Sequence, residues 1–131
     1  MKFSIIPASL APTLLSVMRI AVGLALLEHG AGKILGFPAG LPGIEKLPLP
    51  LLYFTGLMEL IGGALIVVGL FTRPVAFVLS GYTAVAFFLA HVGRSGTLFP
   101  ALNGGEPVFL YCFVFLYLAA AGPGPLSVDR G

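Results

Sequence analysis

Glu59 is the residue from which chemistry can first be argued. It is the one formal charge in the run 47–72, near its middle, among Leu, Ile, Val and Gly. A charge at the centre of a bilayer costs at least about 2.5–3.5 kcal/mol on insertion scales. A glutamate stem is too short to carry its carboxylate over half a bilayer to water. The carboxyl must be protonated, paired with a cation, or turned towards an aqueous cavity. Gly56, Gly62 and Gly63 lie within roughly 60° of it on a helical wheel, so its face is small and polar. Such glycines admit a close neighbouring helix or leave room for a small ligand, and packing is the commoner use.

A matching face exists upstream. Arg19, Gly23, His29, Gly30 and Lys33 share an arc of roughly 120°, with Glu28 pointing elsewhere. If the two segments are antiparallel with level midpoints, Arg19 lies roughly 8 Å to the inner side of Glu59, within arginine reach. An Arg19–Glu59 ion pair is therefore expected. Further along, His91 ends one apolar run, and Glu106 heads a helical stripe with Leu110, Phe113 and Tyr117. A stripe of that kind is usually packing, and Glu106 also suits a helix dipole. Gathered at one depth, Glu59, Arg19, His29, Lys33, His91, Glu106 and Tyr117 would form a polar substrate-binding pocket. Carboxylate, imidazole and phenol could bind and deprotonate a quinol, or relay protons. Quinone is the cofactor such a pocket would suit. Haem is disfavoured, because residue type and depth alone support it. No metal site is expected, since the spacing carries no zinc signature. The single Cys112 gives no CxxC pair, no internal disulfide and no cysteine-held cluster. No phosphate loop, Rossmann glycine pattern or nucleophile elbow is present.

These side chains have to be positioned by membrane spans. Of 131 residues, 58% are hydrophobic and 9% charged, and mean hydropathy is +1.06. A soluble domain is about 25% charged, so this chain could not cover a water-facing surface. Its net charge of +2 is scattered singly, which leaves no basic patch for nucleic acid. A span needs about 20 apolar residues, and four runs qualify. They predict helices at about 11–35, 49–71, 74–93 and 106–121, an all-α four-helix transmembrane bundle. The Gly- and Pro-rich stretch 37–48 is a loop, and Asn103-Gly104-Gly105 marks a turn. The short link at 72–74 predicts a tight hairpin of the second and third helices, with Pro74 at the first helical position. Arg19 and Glu28-His29 interrupt the pattern of a cleaved signal peptide.

The whole of 1–131 reads as one membrane domain whose first partner is the lipid bilayer. Four spans put both termini on one side. Counting Lys2, Arg73 and Arg130 against Lys46 and Arg94 gives a small bias towards cytoplasmic termini. Glycine-rich faces offer contacts for a homo-oligomer.

Several ordered motifs carry a resemblance. Arg19 and His29-Gly30-x-x-Lys33, with Gly36-Phe37, resemble the first helix of DoxX-family membrane proteins. Glu59-x-x-Gly62-Gly63 and Gly69-Leu70-x-Thr72-Arg73 are similar to that family's second helix and following turn. Asn103-Gly104-Gly105-Glu106 and Gly122-Pro123-Gly124-x-Leu126-Ser127-x-Asp129 resemble its fourth helix and C-terminal signature. The resemblance implies a four-helix bacterial inner-membrane protein loosely tied to oxidoreductase chemistry. The family name derives from a subunit linked to thiosulfate:quinone oxidation, and relatives are tied to oxidative-stress and thiol-homeostasis complexes. With one cysteine, a self-contained thiol oxidoreductase is not expected. The expected function is an accessory membrane subunit of a redox or oxidative-stress system, working with a soluble redox partner protein. The alternatives are a quinone-linked membrane oxidoreductase and a small-molecule or proton transporter using Glu59.

Overall fold

A computed structural model describes residues 3–129, so Lys2 and Arg130 of the charge count lie outside the described residues. The all-α class with four apolar helices is what it shows. Helix α1 is Ala11–Ile34, α2 is Leu49–Val68, and α4 is Glu106–Ala121. Helix α3 begins at Thr72–Ala86 and continues through a π-helical stretch, Phe87–Val92, to Gly93–Ser95. Prolines in the first turns of α1, α2 and α4 cost no hydrogen bond, because those N–H groups have no partner within a helix.

Two bounds differ from expectation for local reasons, and one helix has an irregular turn. Helix α2 stops three residues early because Gly69 turns left-handed at φ 70°. Its N–H binds the Ile66 carbonyl at 3.2 Å while Leu70 N–H binds Leu65 at 3.0 Å, the two bonds of a Schellman ending. Helix α3 starts at Thr72, so Pro74 is third in the helix rather than first. The π turn has no marker in the sequence.

Helices α1, α2 and α3 with its continuation are long and apolar enough to cross a membrane. At 16 residues α4 is shorter, about 24 Å at 1.5 Å per residue, against a hydrocarbon core of about 30 Å.

The chain falls into two compact units, one holding α1, α2 and the segment from Pro123 onward, the other Thr72–Gly122. In the first, α1 and α2 run antiparallel with their backbones close. A Cβ on Gly63 would stand 2.7 Å from Leu27 N, and one on Gly23 2.9 Å from Val67 N. Gly30 meets the Leu60 backbone in the same way, and a Cβ on Gly56 would lie 2.6 Å from Ile34 Cδ1. This register is not level. The end of α1 faces Gly56, so the first two turns of α2 project past it. The loop 37–48 allows the offset by folding back, with Leu41 against Gly32.

In the second unit α3 pairs with α4. Ser80 Oγ donates to the Cys112 carbonyl at 2.8 Å, and Arg73 Nη1 to the Ala120 carbonyl at 2.6 Å. Phe87 packs against Phe88 and Phe109, with ring centroids 5.4 and 5.8 Å apart.

Candidate functional site

The offset register decides which cation meets Glu59. Lys33, in the last turn of α1, reaches down α2 and places Nζ 2.7 Å from Glu59 Oε1. The same ammonium donates to Thr55 Oγ1 at 3.2 Å. Thr55 in turn donates to the Leu51 carbonyl of its own helix at 2.8 Å. The two charged side chains keep 14% and 8% of their exposure, so the pair is largely withdrawn from its surroundings. Thr55 precedes Glu59 by one helical turn and so shares its face. Sequence reasoning missed it, although a hydroxyl in an otherwise apolar run on the glutamate's own face was the available signal.

The expected Arg19–Glu59 pair is overturned. Arg19 lies about two helical turns away, at the C-terminal end of α2. Its Nε donates to the Ile66 carbonyl at 2.9 Å and its Nη2 to the Val67 carbonyl at 3.2 Å. Its Nη2 also donates to Leu126 at 2.6 Å, and its Nη1 to the Pro123 carbonyl. The side chain is fully buried. The last carbonyls of a helix lack partners within it and carry the negative end of its dipole. A forked guanidinium is suited to several of them at once. The expectation failed because level midpoints were assumed for helices that are displaced along their axes.

Each of the other expected site residues is described within its own unit. His29 is exposed, with Nδ1 3.4 Å from the Ala25 carbonyl of its own helix. In the second unit, His91 Nδ1 lies 3.3 Å from the Asn103 carbonyl. Asn103 itself is fixed by Nδ2 donating to the Thr97 carbonyl at 3.1 Å and Oδ1 accepting from Gly105 N at 2.8 Å. A carbonyl can only accept, so in this contact His91 Nδ1 is the donor. Glu106 opens α4 and is exposed, and Tyr117 is 60% exposed. Among the described residues no three of His, Cys, Asp and Glu gather as a metal site.

Four apolar helices with a charged pair held between two of them define a multi-span membrane protein. The family model for DoxX matches residues 14–92. The chain belongs to the DoxX family. It is 40% identical to an uncharacterized protein of Haemophilus influenzae, over 91% of this chain and 90% of that relative. It is 33% identical to inner membrane protein YphA of Escherichia coli K12, over 91% and 90% of the two chains. It is 32% identical to inner membrane protein YqjF of the same strain, over 87% and 88%. No solved structure matches it.

Proposed function

We propose that this chain is an accessory inner-membrane subunit of a redox or oxidative-stress system. Its working site is the cluster of Glu59, Lys33 and Thr55, which takes the head group of a quinone. The observation that carries this reading is the 2.7 Å ion pair between the last turn of α1 and the middle of the apolar helix α2. Ionisable groups at such depth are costly and mark ligand or proton sites by default. The residues fit a quinone ring. Lys33 has three N–H donors, of which two are engaged by Glu59 and Thr55. The third can meet a ring carbonyl, while the Glu59 carboxylate can accept a hydrogen bond from a quinol hydroxyl. Bound quinone would supply the redox chemistry, and the protein would orient it and exclude water. A single cysteine supplies no dithiol of its own, which favours a partner protein as electron source. The inner-membrane placement follows two relatives, the inner membrane proteins YphA and YqjF. The termini face the cytoplasm.

The test is purification from native membranes in mild detergent, followed by extraction and chromatography of bound quinone. Wild type should carry quinone, and Lys33→Leu/Glu59→Leu should not, with no steady-state quinone reduction by either protein alone. Equal quinone content in both would reject the site. Turnover by the isolated protein would make it the oxidoreductase. Proton flux in liposomes that disappears with Glu59→Gln would make it the transporter. Reporter fusions at each terminus test the orientation.

A further inference from the structure

Arg19 is fully enclosed, and half of its acceptors come from far along the chain. The carbonyls of Ile66 and Val67 belong to the neighbouring helix. Those of Pro123 and Leu126 lie 104 and 107 residues downstream, after α4. During synthesis α1 and α2 exist, with their facing glycines, well before these two acceptors do. Until they arrive, the guanidinium lacks two of the four carbonyls that complete its hydrogen bonding in the folded protein. Hydrocarbon offers no water to complete it.

The segment 123–129 is shaped for this place. Ser16 Oγ donates to the Pro123 carbonyl at 3.0 Å and accepts from Leu126 N at 3.1 Å. The N–H groups of Val128 and Asp129 bind the Val68 and Gly69 carbonyls at 3.0 and 2.9 Å. The Asp129 carboxylate accepts from Phe71 N at 2.8 Å. Gly124 has φ 76° and lies against α1, where a Cβ would stand 2.8 Å from the Pro12 carbonyl oxygen and closer still to Ser16 Oγ. A side chain there would lift the segment away.

We infer that Arg19 makes the docking of segment 123–129 the closing step of assembly. The buried cation destabilises the α1–α2 pair until the segment arrives, and it is fully met once the segment is seated. The segment is a strap keyed to a charge, and a chain whose strap is displaced carries an unmet cation inside its first span. A neutral residue at position 19 removes that dependence.

The experiment compares the full-length wild type, Gly124→Val, Arg19→Leu and the double variant in native membranes by pulse-chase, and in detergent by thermal unfolding. With Arg19 present, Gly124→Val should shorten the lifetime several-fold and lower the unfolding midpoint. On the Arg19→Leu background the same change should alter the lifetime by less than about twofold. A stop after Gly122 should repeat this pattern without the steric clash, and Arg19→Gln supplies a second neutral background. Equal losses on charged and neutral backgrounds overturn the proposal. So does an undiminished lifetime for Gly124→Val with Arg19 in place, or failure of both neutral backgrounds to accumulate.

Discussion

Lys33 and Glu59 are each expensive in hydrocarbon and tolerable together. Removing one leaves the other as an uncompensated charge, which costs about 3–5 kcal/mol at a buried site. Lys33→Leu and Glu59→Leu should each lower stability on that scale, and the double replacement should cost less than either single one. Unfolding titrations in bicelles measure all three, and a double variant weaker than both singles would dismiss the pairing. Among the described hydrogen bonds, those of Arg19 go to the carbonyls of Ile66, Val67, Pro123 and Leu126, and those of Lys33 to Thr55 and Glu59. Arg19→Leu and Glu59→Leu should therefore add to within about 0.3–0.5 kcal/mol, and a large coupling between them in the same titration would contradict the observed register. At this scale the sequence was informative about residue type and not about partnership. It marked Glu59 as a group in need of company and put Lys33 on the correct face. It chose the wrong cation because helix displacement is set by loop 37–48 and by which glycines meet, and no single residue records that.

At the scale of elements, the contact between α1 and α2 depends on atoms that are absent. Gly63 faces the Leu27 backbone with no room for a Cβ. Gly63→Leu should therefore separate the helices and cost at least the 1–3 kcal/mol typical of overpacking. It should also lengthen the Lys33–Glu59 separation, which the quinone-retention assay would register as loss. By contrast, Gly81 has open space around its Cβ position. Gly81→Ala should be neutral or slightly stabilising, since it sits within the α3 segment Thr72–Ala86. Equal damage at the two positions would contradict the packing described. The helices themselves were legible, because four apolar runs bounded by charges or Gly and Pro allow few other assignments. Their ends were less so. The Gly69 turn and the start of α3 at Thr72 depend on hydrogen bonds that hydropathy does not register.

At the scale of the molecule, the four helices are unequal in reach. α1 has 24 residues, α2 has 20 and α4 has 16. A short span is accommodated by local thinning of the bilayer, at fractions of a kcal/mol per ångström of mismatch. The protein should thus be more stable in bilayers of shorter acyl chains than in thick, sterol-rich ones. Thermal midpoints across a series of lipid chain lengths test this, and a rise with thickness would refute it. The membrane class was readable from composition alone, because a chain with 9% charged residues has no other means of being covered. The placement of the segment after α4 with α1 and α2 was not readable. It is held there in part by the carbonyls that Arg19 meets, Pro123 and Leu126.

The widened winding at Phe87–Val92 bears on how relatives should be compared. A π turn accommodates one residue more than the regular spiral would in the same rise. Every side chain beyond it is therefore rotated by about 100° from the position a simple wheel assigns. Deleting Leu89 would restore ordinary winding and swing the His91 imidazole away from the Asn103 carbonyl. A homologue one residue shorter here would accordingly present a different azimuth to its surroundings, even where its aligned letters are identical.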